Sequence, residues 1–129
     1  MESTREAEIR TRLADIAGPD PGDGERALMA RLVRSFVSKT PDGVELLGAL
    51  LRGGDHRAVR DHAHSMKGSA ANIGADQLAA IFREVEDSAR DGVVPDPDLT
   101  IGRLAAEQAL VLGLLEDLAT ELANAQDGP

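Results

Sequence analysis

Apolar residues recur along the chain at spacings of three and four, the repeat of one face of an α-helix, and no segment shows the alternation of a half-buried strand. From Glu2 to Ala17 the stripe is Ile9, Leu13 and Ile16, and Gly18-Pro19-Asp20-Pro21-Gly22 then breaks the chain. The next stripe runs Met29, Leu32/Val33, Phe36, Val44, Leu47 and Leu51. Thr40-Pro41-Asp42-Gly43 interrupts it with what reads locally as a turn. The helical phase nevertheless holds from Met29 through Thr40 to Leu51, whereas a turn would reset it. One long helix is therefore predicted, kinked at Pro41, where the ring removes a hydrogen bond and crowds the preceding turn.

Gly53-Gly54 ends that helix, and Asp55 is a good N-cap for the next. Its stripe is Val59, Ala63, Met66, Ala70 and Ile73, with Gly74 as the residue that stops it. A short connection leads to Asp76 and the stripe Leu78, Ile81/Phe82, Val85 and Ala89. Asp91-Gly92, Pro95 and Pro97 mark a loop. The last stripe, Ile101, Leu104, Val111, Leu115, Leu118 and Leu122, is nearly heptad, interrupted by Gln108. Long helices with short connections predict an all-α fold, an antiparallel four-helix bundle with an N-terminal accessory helix. Residues 1–129 are read as a single domain with its core at about 9–123 and a frayed tail at 124–129.

Composition narrows the function. A 129-residue chain has room for one packed core, and with Phe36 and Phe82 as its only aromatics that core is built from Leu, Val, Ile and Ala. A net charge of −9 argues against general nucleic-acid binding, which needs a basic face. No cysteine is present, which removes disulfides and thiolate metal sites and fits a reducing compartment. No run approaches the ~18 apolar residues of a membrane span. Glu2, Arg5 and Glu6 follow Met1 where a signal peptide would be apolar, so a soluble cytoplasmic protein is expected, and a monomer, because the stripes bury one another.

The chemistry gathers on the predicted helix from Asp55 to Ile73, which holds all three histidines, His56, His62 and His64. A helical metal site wants histidines four apart, and neither His62 with His64 nor His56 with any partner meets that spacing. A nucleophilic triad fails too, since no cysteine exists and Ser65 and Ser69 lie inside the same helix. At ~100° per residue His64 lies about 200° from Met66 and so faces away from the core stripe. Arg57, Arg60, His64, Lys67, Gly68 and Ala71 share one side of the helix. Three basic residues against two acidic ones make this segment positive within an acidic chain. A neutral imidazole there offers a nitrogen lone pair, and Lys67, one turn on, could neutralise a phosphoryl group bound to it. Gly68 has two readings: room for a partner to approach the imidazole, or close packing of two helices within the molecule.

The stretch Ala63-His64-Ser65-Met66-Lys67-Gly68-Ser69-Ala70-Ala71-Asn72-Ile73-Gly74 resembles the signature of histidine-containing phosphotransfer (HPt) domains of bacterial phosphorelays, approximately A-H-x-L-K-G-S-x-x-x-[LIV]-G. Met66 replaces the usual Leu, a conservative departure. Phe36 and Pro41, Gly54-Asp55, Val85-Glu86 and Ala89-Arg90 fit the surroundings, so the resemblance spans roughly Leu13 to Leu122.

The resemblance implies a carrier rather than an enzyme with its own ATP site. His64 would accept the phosphoryl group through Nε2 from a receiver-domain aspartate and pass it to another. Lys67 would stabilise its charge, and Gly68 would leave room for the receiver. Glu86, on the next helix, matches a position where the family often places Gln or Glu against the other ring nitrogen; its alternative is an ordinary solvated charge. No cofactor is implied for this chain, Mg²⁺ belonging to the receiver, and the partners would be receiver domains and a sensor or hybrid histidine kinase. Two rival functions are a module that binds receivers without transfer and the phosphoacceptor segment of a histidine kinase.

Overall fold

The computed structural model describes residues 3–126. Helix α1, Thr4–Ala17, opens where the Ser3 hydroxyl accepts the Glu6 N–H at 3.1 Å. Helix α2, Asp23–Gly53, runs unbroken through Pro41. The proline ring faces solvent while neighbouring Thr40 is buried, so the apolar stripe keeps one face across it. Gly54, at φ 76°, terminates α2 by turning its N–H back onto the carbonyls of Leu50 and Leu51. Asp55 then caps α3, His56–Asn72, accepting the N–H groups of Arg57 and Ala58. Helices α4, Asp76–Arg90, and α5, Pro97–Gln126, complete the chain, and Asp96 caps α5 by accepting the Leu99 N–H at 2.9 Å.

Helix α2 packs on α3 and α5, α3 on α4, and α4 on α5, which closes a four-helix ring in chain order, the expected bundle. Both phenylalanines are buried in a core otherwise of Leu, Val, Ile and Ala with Met29. Ile16, Met66, Ile101 and Leu122 are half-buried rather than core, because they lie at the edges of their stripes. Helix α5 continues through Gln126, past the start of the expected frayed tail at Asn124; Asp127–Pro129 lie outside the described residues, as does Glu2 at the expected start of α1.

Helix α1 does more than cap the bundle. Ile9 and Leu13 are fully buried, each contributing roughly 1.5–3 kcal/mol by leaving water. Arg5 forks onto buried Glu107 of α5 at 2.6 and 2.7 Å, and Arg10 reaches Glu121 at 2.8 Å. Gly74 sits under α1 at φ +84°, and a Cβ there would stand 2.7 Å from the Glu8 carbonyl oxygen and 3.0 Å from Ile9 Cα. A second close approach lies between α2 and α3: a Cβ at Gly43 would meet Met66 Sδ at 2.5 Å. Together these contacts fix α3 at its end and its middle, which sets the direction of its outward face.

Candidate functional site

His64 lies midway along α3 with its side chain 67% exposed. Its Nδ1 stands 2.7 Å from Glu86 Oε2, on the facing side of α4. Glu86 is 2% exposed, a carboxylate roofed by the side chains it binds. Lys67 donates to its Oε1 at 2.6 Å and Arg90 to its Oε2 at 2.9 Å. The Lys67 ammonium, with the imidazole adding to it, holds the Glu86 carboxyl below the usual glutamate range against the opposing effect of burial. An ionised carboxylate only accepts, so the proton of a neutral His64 imidazole is assigned to Nδ1. Nε2 is then left as a lone pair on the solvent side. The geometry supplies what a nucleophilic imidazole needs: a fixed tautomer, a fixed ring plane and an open nitrogen.

The other residues of the predicted face are placed as follows. Arg57, Gly68 and Ala71 are exposed on the His64 side of α3, and Arg60 is half-buried with its Nε 3.0 Å from Asp61. Among the described residues nothing lies within 4 Å of where a Gly68 Cβ would be, so none of these helices packs against this glycine. His62 points the other way and donates from Nε2 to the Gly43 carbonyl of α2 at 2.8 Å. His56 sits half-buried in the first turn of α3. Among the described residues no three His, Cys, Asp or Glu side chains are grouped where they could hold a metal ion.

Residues 31–127 match the Hpt domain family. The chain belongs to that family. It is similar over 86% of its length, at 30% identity and a TM-score of 0.76, to the crystal structure of histidine-containing phosphotransfer protein B (HptB) from Pseudomonas aeruginosa PAO1, 92% of which is covered. No curated protein matches the sequence. As an Hpt domain the chain is a histidine phosphotransfer protein of a phosphorelay, a phosphoryl-group carrier of the kind that works with receiver domains and kinases. No helix among the described residues is long and apolar enough to cross a membrane.

Within this Hpt domain, one contact of the site escaped the sequence, that of the Arg90 guanidinium on Glu86. Glu86, which the resemblance sets against the other ring nitrogen of His64, is buried rather than solvated, because Lys67 and His64 of α3 and Arg90 of α4 close over it. Arg90 was visible as the fourth residue after Glu86, the spacing of a helical ion pair, and that spacing is the signal that could have found it. The family match begins at Arg31, so α1, which anchors the far end of α3, lies outside it.

Proposed function

We propose that His64 is the phosphoacceptor of this Hpt domain and that its Nε2 attacks, in line, the phosphorus of a receiver's aspartyl phosphate. The Nε2–P bond forms as the P–O bond to the aspartyl carboxyl breaks, and the aspartate leaves as a carboxylate. Nδ1 keeps its proton, so positive charge grows on the ring beside Glu86, which is placed to stabilise it. In the return step the N–P bond breaks, its electron pair goes back to Nε2, and a second receiver's aspartate takes the phosphoryl group. Positioning and charge neutralisation carry most of the catalysis in such transfers.

Lys67 stands one turn beyond His64 and is the cation that would turn to the incoming phosphoryl oxygens. Gly68 and Ala71 would leave the surface low around Nε2, and Arg57 and Arg60 would add positive charge for an acidic receiver face. Mg²⁺ would come with the receiver. The sequence holds no nucleotide-binding motif, so phosphate would reach the relay through a sensor or hybrid kinase, and the carrier would act as a cytoplasmic monomer.

The observation that carries this reading is the pairing of a buried carboxylate on Nδ1 with an exposed imidazole, which leaves Nε2 free. The test is labelling from a phosphorylated receiver. His64→Gln should take no label and keep its melting temperature, since the side chain is exposed, while His56→Gln and His62→Gln should still be labelled. The label should be lost in acid and survive alkali, as a phosphoramidate does. Full labelling of His64→Gln would refute the assignment.

A further inference from the structure

The charges around Glu86 form an alternating row. Lys67 Nζ lies on Glu86 Oε1 at 2.6 Å, and Arg90 Nη2 lies on Glu86 Oε2 at 2.9 Å. Arg90 Nη1 reaches Asp87 Oδ1 at 3.3 Å, and Arg83 Nε stands 3.9 Å from Asp87 Oδ2. Each carboxylate thus has a cation on both sides. This matters because the proposed transfer makes two demands on Lys67. Among the described residues it is the sole donor to Oε1 of a nearly sealed carboxylate, and it also stands one turn along α3 from His64, whose Nε2 would carry the phosphoryl group.

If Lys67 left a Glu86 that had no other cation, the carboxylate would hold only the imidazole N–H. An uncompensated buried charge is strongly unfavourable. Glu86 would then either retain Lys67 or take up a proton, and a protonated carboxyl no longer favours the growing charge on the ring. Arg90 removes this conflict. Its side chain is 58% exposed and sits in the last turn of α4, from where the guanidinium would swing to span both Glu86 oxygens as Lys67 withdraws.

We infer that Arg90 is a positioning residue that keeps Glu86 ionised against His64 while Lys67 turns to the phosphoryl group. The inference rests on His64 as acceptor and adds a role for a residue that touches neither the imidazole nor, in this geometry, the reacting nitrogen. It also distinguishes Glu at this position from a neutral amide: a carboxylate needs the second cation, and an amide would not.

The experiment is a double-mutant cycle read with phosphoramidate as donor, so that no receiver surface enters. Nε2 attacks phosphorus, the P–N bond to ammonia breaks, and phosphohistidine is followed by phosphorus NMR. Arg90→Ala should slow labelling about tenfold in the wild-type background, the scale of one lost hydrogen bond to a charged group. Arg90→Lys should restore part of the rate, because an ammonium supplies the charge Glu86 requires but cannot span both of its oxygens. In a Glu86→Gln background, itself slower than wild type, Arg90→Ala should change nothing further. Melting curves check that each variant is folded. An equal slowing by Arg90→Ala with and without Glu86 would mean that Arg90 contacts the phosphoryl group directly, and would overturn the inference, as would no slowing at all. Failure of the wild-type protein to take label on His64 would overturn the acceptor assignment first, and the Arg90 role with it.

Discussion

Gly68 and Gly74 stand six residues apart in one segment of chain and serve opposite ends. Gly74 is crowded: its φ of +84° disfavours any side chain, and the α1 backbone leaves no room for one. Gly68 is helical, open on its outer side, and destabilises its helix by up to ~1 kcal/mol relative to alanine with no packing gained inside the molecule. The first glycine builds the fold. The second leaves an open surface beside His64, which is the room the proposed transfer needs.

The carboxylates divide along the same line. Glu107, near Gly74, receives both donors of one Arg5 fork, an arrangement in which every contact is satisfied by a single partner. Glu86, near Gly68, shares its two oxygens among His64, Lys67 and Arg90, no pair of which is bidentate. A fork is hard to exchange. A divided carboxylate can lose one donor and keep the others, which is what a site that must receive and release a charged group requires.

The largest effect that would sharpen this contrast is Gly74→Ala. The new Cβ meets backbone rather than a flexible side-chain end, so α1 must lift, and with the cost of a positive φ the loss should be about 3 kcal/mol. Denaturant titration measures it, and His64 labelling per folded molecule should hold. A Gly74→Ala protein as stable as wild type would break the comparison.

Gly68→Ala should move stability the other way, by at most ~1 kcal/mol of gain from helix propensity. Gly68→Gln should likewise fold, react with phosphoramidate at the wild-type rate and slow only in transfer from a receiver. Loss of stability in both variants would show that Gly68 is a packing residue after all.

Much of this was legible because it is periodic. The apolar stripe of α2 keeps its phase across Pro41, so the helix could be read through a sequence that imitates a turn. The alternation-free spacing of α3 set His64 outward, and the HPt-like run around it named the chemistry. What stayed hidden depends on two helices at once. Gly43 reads as part of a turn, yet it is the gap into which Met66 of α3 fits. The resemblance set Glu86 against the His64 ring, but its spacing on α4 alone could not tell it from a surface charge, and the cations of α3 together with Arg90 bury it. Likewise Arg5 and Arg10 gave no sign that α1 would be tied to α5, because their partners lie a whole chain away in sequence. Spacing along one helix reports which side a residue occupies; it does not report what stands across from it.

The proposed transfer depends on one atom, the Nε2 that Glu86 leaves free. Nitrogen-15 NMR of the uniformly labelled protein, before and after phosphoramidate treatment, reads it directly. Before treatment the neutral His64 ring should carry its proton on Nδ1; afterwards the nitrogen–phosphorus coupling should appear on Nε2 of His64 with Nδ1 still protonated. Phosphorus on Nδ1 of His64, or on His56 or His62, would contradict the account.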